Sequence, residues 1–538
     1  MLAPALFAIT HIKENYCMEF DREYFEAEVR DGFYVTAEMK QAWAAQLEVL
    51  NDFDKACREN GLEYYADWGT MLGAVRHGGF IPWDDDIDVC MKRPDYDKFL
   101  KIAKKIMPDG YDIYNLETDE HSDNMLTRLI NAKRVGFDEE RLKKFHGFPY
   151  VAGIDISPLG FIPTQKEDAD FQKNLVRIVN SVARLYRKYE KEENESLLVE
   201  IKSYIGQIEK MCAIKLDWKR NFAQQLNMLL DRLCGLYRED ECEYIGNIIE
   251  WMKSGKMIYP KDYYNNIVRM PFENITIPVP KQYDKILTEL YGDYHVKVHN
   301  CDSHEYPFFQ EARNEIIEYG VNIPHFALDM KEYKNFINQE NTIRNFRKLA
   351  SIDTEKKRTV LFMPFKAKYW KTMQPLWEKY SQIEDIDVLV MPMHYYYRNI
   401  NGTVEQYVEE DEYPKELHMV SLDEYNFEKN RPVEIVFQNP YDECNVATTV
   451  HPIYYSKNLF MHTDKLTYIP YFTTEEIAED DMRADASMNE YVTMPGVVYS
   501  DRVILQSENI KKLYVRKLVE FYGEDTRNEW ENKLCTTF

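Results

Sequence analysis

The sequence predicts an α/β protein in two parts. The first carries a helical insertion, and the second is built on a parallel, doubly wound sheet. Three observations predict this. Short apolar runs such as "DIDVCM", "TVLFMPF" and "IDVLVMPM" alternate with stretches of helical periodicity, the pattern of strands and helices packed in layers. From about 165 to 240 the strand-like runs stop and apolar residues recur at helical spacing alone. A polar, charged stretch, "NQENTIRNFRKLASIDTEKKR" (338–358), then separates the two parts.

Taken in order, residues 37–60 carry apolar positions at helical spacing and stop at Gly61. "LEYYADWGT" reads as a short strand entering a turn, and "TMLGAVRHG" as a helix ending at glycines. In "DIDVCM" the residues Ile87, Val89 and Met91 share one strand face. "PDYDKFLKIAKKIM" is a proline-initiated helix, and "NMLTRLINAK" and "YVAGIDISPLG" are two further strands. Leu175, Ile178, Val179, Val182 and Leu185 mark an amphipathic helix of the insertion, whose spacing continues to Leu236. "ITIPVPKQYDKILTELYGDY" closes the first part as a strand and a helix. In the second part, "TVLFMPF", "IDVLVMPM", "VEIVFQNP", "KLTYIPYF" and "DRVILQS" read as buried strands, with helices at "WKTMQPLWEKYSQ" and "ENIKKLYVRKLVEFYG". Apolar strands alternating with helices imply the parallel sheet.

The formal net charge is -25. Such a surface repels nucleic acid and anionic membranes as broad partners. Nine cysteines without a CxxC pair point to a reducing compartment. The tightest cluster, His299, Cys301 and His304, lacks an obvious fourth ligand for a structural zinc and reads as an ordinary polar loop. No apolar run reaches the roughly 18 residues of a membrane span. "MLAPALFAIT" is short and has no basic residue before it, a poor signal peptide, and Met18 opens a more typical beginning. A cytoplasmic protein is expected, with association at the inner face of a membrane left open.

The chemistry concentrates in "GAVRHGGFIPWDDDIDVCM", where Asp84, Asp85, Asp86 and Asp88 stand between a Gly-Gly turn and an apolar tail. On a strand, side chains two apart share a face. A strand beginning early enough would therefore set Asp84, Asp86 and Asp88 together and turn Asp85 away. Carboxylates this close have raised pKa values unless a cation sits among them. Their hard oxygens suit Mg²⁺ or Mn²⁺, ions that also contact substrate phosphates. Upstream, Gly69 and Thr70 form a small-residue turn able to offer backbone N–H groups to a phosphate. Downstream, "GIDIS" adds Asp155, flanked by isoleucines on a strand. Each element alone is commonplace: Gly-Thr is a frequent turn, a DxD arises by chance, and a lone Asp caps turns. Their order makes the pattern specific.

"WGTMLGAVRHGGFIPWDDDIDVCM", together with "GIDISPLG" and "YDKILTELYGDY", resembles the LicD family, whose relatives include fukutin and fukutin-related protein. The resemblance spans roughly residues 18–300. It implies a nucleotidyltransferase-type fold with a mixed sheet, for a catalytic domain placed at 18–345. It also implies metal-dependent transfer of phosphocholine or a polyol phosphate from a CDP-activated donor to a glycan or lipid-linked glycan of a bacterial cell surface, such as a teichoic acid, with release of CMP. By the same resemblance Gly69 and Thr70 match the phosphate-contacting turn and Asp86 and Asp88 the metal ligands. Asp84 joins the metal shell or supports it, and Asp155 is a metal ligand or general base. Arg76, Arg128 and Lys133 are candidates for donor-phosphate contacts, with plain surface charge as the alternative. Two other functions fit the same fold: a nucleotidyltransferase moving NMP onto a sugar or small molecule, and a non-catalytic assembly scaffold.

Residues 358–538 resemble more loosely the N-terminal half of CDP-glycerol glycerophosphotransferases, two-lobed GT-B enzymes, through "VLFMPFKAKYW", "NPYDECN", "VHPIYYSKNL" and "SDRVILQSENIKKLYV". That implies a Rossmann-like lobe. The Trp-His-Gly-Thr segment of the catalytic enzymes is absent, and only one lobe is present. A lobe that binds acceptor or partner, or part of a longer enzyme, is expected, with the donor site wholly in the first domain. His451 beside Pro452 reads as structural.

Overall fold

The computed structural model describes residues 17–122, 124–299, 306–318, 320, 324–350, 357–399, 402–405 and 413–537. Cys301 and His304 of the expected polar loop, and residues 1–16, lie outside them.

The first half is built around a mixed sheet. Strands run in the order Tyr65–Ala66, Asp88–Lys92, Gly153–Pro163, Thr127–Ile130 and Asp112–Tyr114. Cys242–Gly246 pairs with the far end of Gly153–Pro163 and carries Ile258–Pro260 on its other edge. Asp88–Lys92 and Gly153–Pro163 run parallel, and the other pairs are antiparallel. The helix Ala37–Glu59 starts where the Thr36 hydroxyl accepts the N–H of Met39, an ordinary N-cap. It buries Trp43, Leu47, Leu50 and Phe53 against this sheet's core.

The helical insertion is present as Lys166–Glu192, Glu195–Cys212 and Phe222–Cys234. It has a small core of its own, with Val176, Val179, Ile205 and Leu226 fully or almost fully buried. In the second half, six short strands form one parallel sheet: Ile386–Val390, Arg358–Met363, Glu434–Phe437, Leu466–Tyr468, Arg502–Ile504 and Leu534–Cys535. Numbered along the chain, that order is 2-1-3-4-5-6, which reverses direction between the first and third strands. Alternate side chains of Arg358–Met363 face opposite cores: Leu361 and Met363 one, Val360 and Phe362 the other.

The polar stretch at 338–358 is largely helix, Met330–Ala350. Its polarity is not that of a linker. Arg344 is buried, forms an ion pair with Asp501 at 2.7 Å, donates to the Thr463 carbonyl and lies over the Phe460 ring. Tyr333 and Phe336 pack on Trp530, Tyr499 and Phe460. The helix is thus docked on the second half, although most of it was expected in the first. One continuous hydrophobic core joins the halves, from Phe33 and Trp43 to Tyr468 and Trp530. No helix among the described residues is long and apolar enough to cross a membrane.

Candidate functional site

The strand carrying the aspartates starts at Asp88, and residues 84–87 before it are irregular. Strand alternation therefore does not organise Asp84 to Asp86. Packing does. The Trp43 indole N–H donates to the Asp84 carbonyl at 3.0 Å, and the Gln46 amide donates to the Asp85 carbonyl at 2.8 Å. The Asp85 carboxylate, fully buried, accepts the N–H of Phe308 at 2.6 Å. Asp84, Asp86 and Asp88 line one cavity of about 1800 Å³, whereas Asp85 is not on its wall. Carboxylate oxygens of Asp84, Asp85 and Asp86 nonetheless lie within 4.8 Å of one another.

Register across the sheet sets the rest. Asp88 stands opposite Asp155 on the parallel neighbour, and Asp155 stands opposite Arg128 on the next strand. Arg128 grips Asp155 with both arms, Nε to Oδ1 at 2.8 Å and Nη2 to Oδ2 at 3.0 Å. Such a fork fixes the plane of the carboxylate. Burial, then repulsion from Asp86 and Asp85, holds the Asp84 carboxyl well above the usual carboxylate range, with Arg483 acting in the other direction. Burial and repulsion from Asp86 and Asp155 do the same to Asp88.

Gly69 and Thr70 lie in the first turn of the helix Trp68–Arg76, which is capped by Asp67 accepting the Trp68 N–H at 3.0 Å. Trp68 has φ of 42°, a left-handed conformation uncommon for a bulky residue. A side chain at Gly69 would come within 2.3 Å of Asp84 Oδ2, so the glycine is what admits that carboxylate. Thr70 is not on the cavity wall. It is buried, and its hydroxyl accepts the N–H of Asp88 at 2.8 Å, tying the helix start to the strand start.

Of the three basic candidates, Arg76 and Arg128 line the cavity and Lys133 does not. Arg76 donates to the Tyr294 carbonyl at 2.8 Å. Lys133 is largely exposed and pairs with Asp112 at 2.8 Å, away from the cavity wall. His299 meets Asp481 at 2.5 Å and packs on Trp83 at 4.2 Å. His451 caps a short turn, its Nδ1 accepting the Ile453 N–H, in keeping with a structural role.

Several residues of the site carried no signal in the sequence. Asp67, half-buried at the helix start with its carboxyl pushed up to about 6 by desolvation, adds to the field on Asp88. Arg184 and Arg187 of the insertion, with Lys253, line the cavity wall formed by the insertion and its neighbouring helix. Arg483, from the second half, lines it too. The first half alone does not wall the site.

Residues 61–149 match the LicD/FKTN/FKRP nucleotidyltransferase domain. The chain is similar to a lipopolysaccharide cholinephosphotransferase, LicD, of Haemophilus influenzae, at 27% identity over 259 residues. That match covers 46% of this chain and 88% of the relative. Two uncharacterized proteins, of Rickettsia typhi and Rickettsia prowazekii, are 36% and 33% identical over 66 residues. These cover 12% of this chain and only 21% and 25% of theirs.

Proposed function

Starting from a LicD-family domain in the first half of the chain, we propose that the protein transfers a phospho-substituent from a CDP-activated donor to a cell-surface glycan or teichoic-acid-like acceptor, with Mg²⁺ or Mn²⁺. One observation carries this reading: Asp84, Asp86, Asp88 and Asp155, drawn from two parallel strands and the loop before one of them, line a single cavity. The name of the Haemophilus relative favours phosphocholine as the group moved and lipopolysaccharide as the kind of acceptor. The cavity, about 1800 Å³, exceeds the roughly 300–1,000 Å³ of a usual small-molecule pocket. It has room for donor and acceptor side by side, as direct transfer requires.

The residues present fit a divalent cation. The donor set is all oxygen, and the carboxyls of Asp84 and Asp88 are raised by burial and by repulsion from Asp86 between them, which a cation relieves. Asp84, Asp86 and Asp88 would hold it, with Asp155 beside them. When bound, such an ion neutralises charge building on phosphate oxygens. The chain's own groups do the remainder. Arg76 holds the donor diphosphate, and Asp155, oriented by the fork of Arg128, accepts the proton of the attacking hydroxyl. Trp68, Trp83, Tyr150 and Phe308 on the cavity wall keep water from competing with the acceptor.

The test uses the full chain with Mg²⁺ and CDP-choline, CDP-ribitol or CDP-glycerol, each with a lipopolysaccharide or teichoic-acid acceptor. Phosphotransfer releases CMP. Asp86→Asn and Asp88→Asn should each lower turnover at least on the order of a hundredfold with an unchanged melting temperature. Turnover near wild type in either variant contradicts the reading.

A further inference from the structure

A second group of ligating side chains lies off the cavity wall. Cys17, Glu48 and His146 bring a sulfur, a carboxylate oxygen and a ring nitrogen within 4.8 Å of one another. Glu48 comes from the helix Ala37–Glu59, and His146 from the turn that follows the helix Glu139–Lys144. His146 has φ of 54°, a left-handed conformation uncommon outside glycine. Its ring packs edge-on against Phe20 at 4.7 Å. Glu48 Oε1 is the common point. It lies 3.3 Å from Cys17 Sγ and 2.7 Å from His146 Nε2, and it accepts the Met18 N–H at 2.7 Å. Sγ and Nε2 are 3.7 Å apart.

Two features of this cluster call for a cation. The Glu48 side chain is 1% exposed, and its second oxygen, Oε2, is buried with no hydrogen-bond partner among the described residues. A carboxylate oxygen left so costs free energy that a bound cation recovers. The sulfur is no better served. Beside Glu48 it faces the carbonyls of Lys143 and Lys144 at 3.6 and 3.5 Å, three acceptors for one S–H. Burial, then Glu48, pushes this thiol up to about 12, so it is not a nucleophile at neutral pH. Tetrahedral zinc, with bonds of about 2.0–2.3 Å, sets such ligand atoms roughly 3.3–3.6 Å apart. The two spacings to sulfur are close to that, and the Glu48–His146 hydrogen bond would open by about half an ångström. Thiolate and imidazole select Zn²⁺ over Mg²⁺ or Mn²⁺.

We propose that Cys17, Glu48 and His146 form a zinc site, with water or the Lys144 carbonyl as the fourth ligand. On binding, the thiol gives its proton to solvent and the sulfur bonds the metal. The role is structural. The ion ties together three stretches far apart in the chain, and its binding energy adds to folding. One of them is the helix whose Trp43 and Gln46 hold the Asp84 and Asp85 carbonyls. The proposal is independent of the phosphotransfer reading. This mixed set takes zinc, whereas Asp84, Asp86 and Asp88 offer only hard oxygen.

The probe is Co²⁺, which reports a thiolate ligand by a sulfur-to-metal charge-transfer absorption that carboxylates do not give. The full chain is stripped with a chelator and titrated as wild type, Cys17→Ala, His146→Asn, Asp86→Asn and Cys301→Ala. Wild type should show the absorption, and Zn²⁺ should displace it. Cys17→Ala should lack it. His146→Asn keeps a residue that tolerates the left-handed backbone, so it should fold, and it should need at least about tenfold more cobalt. Asp86→Asn and Cys301→Ala should keep the absorption in full. Added Zn²⁺ should raise the melting temperature more in wild type than in Cys17→Ala. No absorption in wild type, absorption that survives in Cys17→Ala, or its loss in either control overturns the proposal. So do unchanged cobalt affinity in His146→Asn and equal melting shifts. The readout involves neither donor nor turnover, so its outcome is separable from the effect of Asp86→Asn and Asp88→Asn on transfer.

Discussion

The two sheets of this protein treat the ends of their strands in opposite ways. In the first half, the start of Asp88–Lys92 and its parallel neighbour present carboxylates to a large cavity. In the second half, the carboxyl ends of the first and third parallel strands are where a doubly wound sheet ordinarily takes a ligand. Here that crevice is filled. Lys366, just past Arg358–Met363, is buried and ion-paired with Glu26 of the first half. Gln438, just past Glu434–Phe437, is fully buried and bonds to the Phe365 N–H, the Tyr369 carbonyl and the Thr372 hydroxyl. The Tyr34 hydroxyl of the first half meets Tyr441 at 2.5 Å, and Tyr441 meets Tyr471 at 2.9 Å. The difference teaches that strand order alone does not make a site. The second sheet has the topology for one and uses it to dock the first half.

The docked edge can be broken. Lys366→Met leaves the buried Glu26 with the Tyr397 hydroxyl at 3.0 Å and a looser contact to Lys368 at 3.6 Å, so the cost should fall below the about 3–5 kcal/mol of a buried pair broken outright. The full chain should melt several degrees lower, and its affinity for a CDP donor, measured below that transition, should hold. Loss of donor binding with no change in melting would reverse the roles given to the two edges.

A pH dependence sharpens the same half. Lys533 is buried among Tyr333 and Trp530, and burial lowers its pKa from 10.5 to about 8. Between those values the unfolded chain holds a proton that the folded chain does not. Stability from this group is therefore full above 10.5 and falls as pH drops through the window towards 8. The slope is at most about 1.4 kcal/mol per pH unit. Denaturant unfolding of wild type and Lys533→Met across that window should differ by this slope, and parallel curves would contradict it.

The smallest effect belongs to the open half. Thr70→Val removes the acceptor for the Asp88 N–H, a loss of about 1–3 kcal/mol. Because this bond places the start of the aspartate strand, turnover should fall while Thr70→Ser keeps most of it. Equal turnover in both variants would leave Thr70 a packing residue only.

Much of this was legible in the sequence. Crowded carboxylates between a glycine turn and an apolar strand are costly without a purpose, and Asp84, Asp86, Asp88 and Asp155 do line one cavity. Buried strands such as Arg358–Met363 announced themselves by apolar runs, here Val360 to Met363. What failed to show was long-range. The alternation assigned to Asp84–Asp86 came from local strand logic, whereas Trp43, Gln46 and Phe308 hold those residues. The polar stretch at 338–358 reads as a boundary between the two parts because the buried contacts of its helix include a charged residue, Arg344, whose partner Asp501 lies far along the chain. Lys133 looked like a phosphate contact because its pairing with Asp112 is a cross-strand matter. Arg483 has no local motif at all.

The most direct test of the contrast between the two edges is a crystal of the full chain soaked with CDP-choline and Mg²⁺. The account expects the diphosphate and a cation among Asp84, Asp86 and Asp88, with the nucleotide inside the same cavity. A nucleotide bound instead at the carboxyl ends of Arg358–Met363 and Glu434–Phe437 would contradict it.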